Sequence, residues 1–245
     1  MKIGIIIQAR MGSSRLPGKI LKEIDGKSLL ELQYKRLIHS EKAEKIIIAT
    51  SDNKIDDCIE VLCKKLNILY FRGSEDNVLD RFNKAAEYFD LDVIVRSNGD
   101  CPFIDSKIID KLIEIWQLNA PKYDYISNIL EDTFPLGMHI EVFTKKALEK
   151  TLEENITKED KEHVTPFIYR NPSKFNLLNI ENNTNLSDYR WTIDYQEDFE
   201  FVKEIYKRFG VNNSSFGMQD IIKVLEREPQ LSMINSFYKK KQSLT

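Results

Sequence analysis

Residues 3–8 form an Ile-rich run without a polar face, and residues 45–50 and 92–97 repeat the pattern. Runs that are apolar on both sides are what strands inside a parallel sheet require. Between them the period changes to that of a helix. Ser28-Leu29-Leu30-Glu31 is a capping box, and it opens a stretch with Leu30, Tyr34, Leu37 and Ile38 on one face. Ile55, Ile59, Leu62 and Leu66 mark a second helix. A third is predicted from Ser74, burying Val78, Phe82 and Ala86, and a fourth from near Ser106, burying Ile109, Leu112 and Trp116. Strand and helix thus alternate, which predicts an α/β fold: a mainly parallel sheet with helices on both faces and ligands at the carboxyl ends of its strands.

Further along the pattern loosens. Residues 138–143 and 175–181 read as strands, 190–193 as a short one, and 145–154, 158–169 and 197–209 as helices, which predicts a mixed extension of the sheet. Residues 182–188 are an Asn-rich connection, and no other Gly-, Pro- or Ser-rich linker divides the chain, so 1–245 reads as one domain. The lysines at 239–241 read as a solvated run before a fraying tail.

Composition narrows the function by exclusion. No stretch approaches the ~20 apolar residues of a membrane span. The N-terminal run lacks the cleavage site of a secretory signal and is read as structural. A net charge of −3, from 36 basic and 39 acidic residues, gives no broad basic face for nucleic acid. Three cysteines without a C-x-x-C pair, beside three histidines, suggest neither a disulfide framework nor a zinc site. Reduced thiols in a cytoplasmic protein fit this usage best.

The candidate chemistry begins directly after the first strand. Ala9-Arg10-Met11-Gly12-Ser13-Ser14-Arg15-Leu16-Pro17-Gly18-Lys19 holds three cations, two hydroxyls and two glycines. Glycines let backbone N–H groups approach phosphate oxygens, serines add donors, and Arg10, Arg15 and Lys19 neutralise charge, so the loop suits a triphosphate. It is not a Walker A loop, because five residues separate Gly12 from Gly18 and Ile20 stands where Ser or Thr is needed. On composition alone, a surface loop of solvated cations is the alternative. Asp100 follows the 92–97 strand and Gly99, which should bring its carboxylate to the same sheet edge, and a carboxylate there can hold magnesium on the phosphates. A nucleobase can be read by backbone carbonyls and amide side chains, for which Asn98 and the Ala9 backbone are candidates.

The loop resembles the opening signature of the SpsF-like and CMP-Kdo synthetase group of cytidylyltransferases. The resemblance continues through Gly73-Ser74-Glu75-Asp76-Asn77-Val78-Leu79-Asp80-Arg81, Arg96-Ser97-Asn98-Gly99-Asp100-Cys101-Pro102 and Arg190-Trp191-Thr192-Ile193-Asp194-Tyr195. It implies a Rossmann-like three-layer nucleotidyltransferase fold, usually dimeric. It also implies a reaction in which an acceptor oxygen attacks the α-phosphate of CTP and releases pyrophosphate, the acceptor being a sugar acid or sugar phosphate for surface polysaccharide. By the same resemblance Asp194 is a second magnesium ligand and Arg81 lies near the nucleotide. Phe134-Pro135-Leu136-Gly137-Met138-His139-Ile140-Glu141 and Glu162-His163-Val164-Thr165-Pro166 are then the acceptor side. There His163 is a candidate general base or hydrogen-bond donor, and Glu141 and Arg190 suit hydroxyls and an anionic group. Gly12, Ser13 and Ser14 complete the expected nucleotide contacts. Arg10 and Lys19 would stabilise the departing pyrophosphate. Two alternatives stay open: a glycosyltransferase using a preformed nucleotide sugar, which would need fewer cations in the loop, and a noncatalytic nucleotide-binding module.

Overall fold

Strand β1 (Ile3–Gln8) lies in the interior of the sheet. Ile3, Ile5 and Ile7 face one apolar cluster and Ile6 the other, so the strand is buried on both sides as its sequence requires. β4 (Lys45–Ser51) and β6 (Val93–Asn98) flank it in parallel, and β5 (Leu69–Gly73) pairs with β4 in parallel at the edge. The computed structural model describes residues 1–238, so the lysine run at 239–241 lies outside the described residues.

Helices α1 (Leu29–Leu37), α2 (Asp57–Leu66) and α4 (Ser106–Asn119) pack on the Ile5 face through Leu30, Ile59 and Leu112. Helix α3 (Val78–Tyr88) covers the Ile6 face with Val78, Phe82 and Ala86. Ser28 caps α1 through the Glu31 N–H at 3.2 Å, as its capping sequence predicts. The α3 cap is Asn77 rather than Ser74. Ser74 instead accepts the Asn77 N–H at 3.0 Å, a turn that delays the helix by one revolution. A small ribbon, β2 (Glu23–Ile24) with β3 (Lys27–Ser28), leads into α1.

Beyond β6 the sheet becomes mixed: β8 (Glu141–Thr144) is antiparallel to β6, β7 (Tyr125–Ser127) antiparallel to β8, and β9 (Leu177–Asn179) parallel to β7. The order is β5-β4-β1-β6-β8-β7-β9. The strand predicted at 138–143 is only partly one. The Asn128 side chain takes Met138 C=O at 2.9 Å and Ile140 N–H at 2.8 Å, standing in for a strand partner ahead of β8. Among the described residues, the stretch at 190–193 forms no strand and makes the isolated bridge Leu136–Arg190.

The helix predicted over 158–169 is two: α6 (Lys158–His163) ends at Val164, whose φ is 73°, and α7 (Pro166–Arg170) restarts at proline, which has no N–H to continue α6. α5 (Lys145–Leu152) and α7 share the α3 face. A third apolar cluster lies outside the sheet. There α8 (Gln196–Phe209) and α9 (Met218–Arg227) pack around Phe103 and Trp191, and Phe103 meets Trp191, Phe201 and Phe216 edge-on at 6.1–6.3 Å.

Candidate active site

The strand order reverses at β1: β4 lies on one side of it and β6, later in the chain, on the other. Ligands of open parallel sheets bind at this crevice. The loops leaving β1 and β6 are pressed together there. Gly99 donates its N–H to Gln8 C=O at 2.8 Å, and a Cβ on Gly99 would stand 2.9 Å from that oxygen. Only glycine permits the approach.

The β1 loop is tied at both ends. Met11 N–H donates to Asp56 at 2.7 Å, while Met11 C=O accepts from Ser13 at 2.8 Å and from Gly18 at 3.2 Å. Gly18 turns with φ 68°, a left-handed conformation in which a side chain is strained. The chain then enters a tight turn (Lys19–Leu21) that points Lys19 back inward.

Lys19 is where the site converges. Its ammonium donates to Asp100 Oδ2 at 2.7 Å, Asp194 Oδ1 at 3.0 Å and Ile193 C=O at 2.5 Å, which uses all three of its protons. Ile193 N–H donates to Asp100 C=O at 2.9 Å, so the two carboxylates, distant in sequence, are joined through backbone as well as through Lys19. Arg15 reaches Asp194 Oδ1 at 2.6 Å, and Arg190 reaches Oδ2 at 3.0 Å. Burial pulls the Lys19 ammonium down, but Asp100 and Asp194 outweigh it and its pKa ends above the ordinary value. Burial likewise pushes Asp194 up, and Lys19, Arg15 and Arg190 together bring it below the usual carboxylate value.

An open cleft of roughly 390 Å³ lies over these groups. Arg10, Gly12, Ser13, Ser14, Arg15, Lys19, Asn98, Asp100, His163 and Asp194 all line it. The structure therefore brings most of the residues singled out in the sequence to one place. Arg10 also touches Glu162 at 3.3 Å, and His163 ends the same helix, α6, so the cleft's far wall comes from the 162–166 segment. Asn98 C=O is held by Gln33 at 2.8 Å, while Asn98 Oδ1 is buried without a partner among the described residues. Ala9 is buried and its N–H is taken by Ala49 C=O at 3.1 Å.

Besides Ala9, three residues singled out in the sequence lie apart from the open cleft. Glu141 is buried beneath it, accepting from Tyr125 at 2.8 Å and bonded to Thr165 and Arg96. Arg190 stands behind Asp194, engaged by Asp198. Arg81 is fully buried, donates to Ser74 C=O at 3.1 Å, and is lowered to about 10, by burial first and by the charge of Arg10 next.

Sequence reasoning passed over Gln8 and Arg96, which also line the cleft. Arg96 was legible as a charge inside an otherwise apolar strand. Asp56 and Asp198 carried no such mark, because their partners are distant. One Asp-x-Asp triplet does exist, Asp90-Leu91-Asp92, as a metal-dependent glycosyltransferase would want. It precedes β6 at the opposite edge of the sheet, where Asp92 accepts Lys2 N–H at 2.7 Å and Asp90 pairs with the Lys2 side chain.

A basic, glycine-bearing loop and paired carboxylates at the switch point of a parallel sheet define a nucleotide-binding α/β protein. Comparison with known proteins specifies which. Residues 4–240 match the family model described as cytidylyltransferase. The chain is 41% identical to the uncharacterised protein MJ1063 of Methanocaldococcus jannaschii, over 98% of this chain and 97% of that one. It is 35% identical to the spore coat polysaccharide biosynthesis protein SpsF of Bacillus subtilis, over 91% and 94%. A solved cytidylyltransferase from Leptospira borgpetersenii superposes with a TM-score of 0.92 at 36% identity, covering 97% of this chain and 99% of that one. The chain belongs to the cytidylyltransferase family and is a CTP-dependent nucleotidyltransferase.

Among the described residues no helix is long and apolar enough to cross a membrane. Nor do three His, Cys, Asp or Glu side chains gather among them as a ready metal cage. Two partly exposed carboxylates converging on one point are a different arrangement. They suit an ion such as magnesium, which is commonly held by one or two carboxylates and takes further ligands from substrate phosphates and water.

Proposed function

We propose that this enzyme transfers CMP from CTP to an oxygen of a sugar acid or sugar phosphate, with release of pyrophosphate, in the building of a surface glycan. The observation that carries the reading is the meeting of Asp100 and Asp194, from separate loops, on Lys19 of the phosphate loop. The name of the Bacillus subtilis relative supports the glycan context.

In this reading the backbone N–H groups of Gly12 and Ser14, with the Ser13 and Ser14 hydroxyls, cradle the β- and γ-phosphates. Arg10, Arg15 and Lys19 hold the charge that grows on pyrophosphate as the bond between the α-phosphorus and the bridging oxygen breaks. Asp100 and Asp194 would hold magnesium, which would supply neutralisation of the triphosphate charge and a lower cost of deprotonating the acceptor hydroxyl. Asn98 Oδ1, buried and unpartnered, suits the exocyclic amine of cytosine. The acceptor sits against His163, which is placed to take the hydroxyl proton, and against Arg96, whose guanidinium suits an acidic group. Glu141 holds Arg96 from below, Arg190 holds Asp194 from behind, and Arg81 holds the turn before α3 through Ser74 C=O. A homodimer in the cytoplasm completes the proposal.

The test is pyrophosphate release with magnesium, each of the four nucleoside triphosphates, and a panel of nonulosonic acids, Kdo and sugar phosphates. The expected result is release from CTP alone and with one acceptor class. Release from another nucleotide, or consumption of a preformed nucleotide sugar instead, would refute it.

A further inference from the structure

Behind Asp194 stands a carboxylate that the chemistry above does not use. Asp198, in the first turn of α8, is fully buried and accepts five hydrogen bonds. Oδ1 takes Arg190 Nε and Asn235 Nδ2, each at 2.9 Å. Oδ2 takes Arg190 Nη2 at 2.9 Å, the Asp194 N–H at 2.9 Å and the Tyr195 N–H at 3.0 Å. Asn235 gives its amide to Arg190 C=O as well, at 2.9 Å.

An acid in the first turn of a helix caps it with one or two backbone N–H groups. Here the carboxylate also draws an arginine from the preceding segment and an amide from beyond α9, which a cap does not need. The partners form a chain with a direction. Asn235 steadies Asp198, and Asp198 grips Arg190 with two parallel bonds. Arg190 then presents the same Nη2 to Asp194 Oδ2 at 3.0 Å. Asp194 is therefore held at its backbone N–H and at one carboxylate oxygen. The other oxygen, Oδ1, is left turned to Lys19, Arg15 and the cleft.

We propose that Asp198, steadied by Asn235, is a positioning residue for Asp194: it fixes the backbone and one oxygen of Asp194 so that Oδ1 faces the nucleotide's cation. This rests on the reading of Asp194 as a carboxylate of the cation site. Ligating carboxylates are themselves oriented by hydrogen bonds, and loss of such a partner costs about 10- to 100-fold in metal affinity.

The experiment measures binding of Mn²⁺ with CTP by water proton relaxation enhancement, which separates the protein-bound complex from free Mn²⁺ and CTP. Wild type is compared with Asp198→Asn, Asn235→Ala and Asp194→Ala, with CTP affinity in the absence of metal and the melting temperature of each. Asp198→Asn keeps the shape and an acceptor for the backbone N–H groups but loses the charge that clamps Arg190. It is expected to weaken Mn²⁺ binding by about tenfold or more while metal-free CTP affinity stays within about twofold. Asn235→Ala is expected to weaken Mn²⁺ binding in the same direction and by less.

A lower melting temperature with wild-type Mn²⁺ affinity in both variants, while Asp194→Ala loses the ion, would overturn the positioning role and leave the Asp194 reading standing. Wild-type Mn²⁺ affinity in Asp194→Ala would overturn both. Should Asp198→Asn fail to fold, Asn235→Ala decides: unchanged Mn²⁺ affinity overturns the proposal, and weakened affinity at unchanged CTP affinity supports it.

Discussion

The two sides of the cleft are held by different means. On the phosphate side, β1 and β6 lie in parallel register from Ile3–Val93 to Gln8–Asn98, and the loops that leave them inherit that rigidity. On the other side, Asp194 and Arg190 stand on a segment held by an isolated bridge to Leu136 and by the Ile193 N–H to Asp100 C=O, and side-chain bonds to Asp198 and Asn235 fix them. Regular backbone geometry places the first set of charges, and a charge network places the second. The first side should therefore be sensitive to sterics, the second to electrostatics, and Lys19, which belongs to both, should be the most sensitive point.

Lys19→Met keeps the length of the side chain and removes its charge. Turnover is expected to fall by about 10²- to 10³-fold, as when a preorganised donor is lost from a developing charge, and the loss should fall on kcat more than on KM in steady-state pyrophosphate release. A near-normal kcat would separate the two sides that Lys19 is taken to join. Gly99→Ala probes the steric side alone. Its Cβ would press on Gln8 C=O, a backbone atom with nowhere to go, so a loss of about 1–3 kcal/mol is expected in denaturant unfolding. Unchanged stability would mean that the β1 and β6 loops are less tightly coupled than their geometry indicates.

Much of this contrast follows from what a sequence displays. The parallel core was legible because β1, β4 and β6 are apolar on both faces and their helices repeat every three to four residues. The phosphate loop was legible because its chemistry is contiguous, from Arg10 to Lys19. β5 and β7 were passed over because they are short, and β5 is a half-buried edge with little contrast. α9 was missed although Met218, Ile221, Ile222 and Leu225 have helical spacing and are all buried. In sequence Asp198 is an acid in the first turn of a helix, which the helix dipole alone explains. Its meaning comes from Asn235, 37 residues later, and from Arg190, eight residues earlier, partners that only the fold brings together.

The histidine of the 134–141 segment offers a pH test. His139 lies 3.2 Å from Asp132, yet burial holds its imidazole down at about 4 against the pull of Glu141. Between that value and the ~6.5 of an unfolded histidine, the unfolded chain binds the extra proton, so stability falls as pH drops through this window and levels off below it. A loss of up to about 2 kcal/mol between pH 7 and pH 5 is expected from this group. It should be absent in His139→Gln, as measured by urea unfolding at both pH values. An equal acid response in the variant would remove His139 from the account.

The smallest effect concerns the core of the parallel half. Cys63 and Cys101 are buried, burial raises both thiols, Cys63 to about 12, and Cys58 is exposed. A thiol reagent should therefore label Cys58 alone in the native protein and all three cysteines in denaturant. Rapid native labelling of Cys101 would show that the loop after β6 opens.

Asp100 and Asp194 are proposed as the seat of the nucleotide's cation. The most direct test is pyrophosphate release against magnesium concentration in wild type and Asp100→Ala, with metal-free CTP binding measured alongside. The account expects a saturating magnesium response in the wild type, and in Asp100→Ala no recovery of turnover at any magnesium concentration while CTP still binds. Full turnover of Asp100→Ala with magnesium present would contradict it.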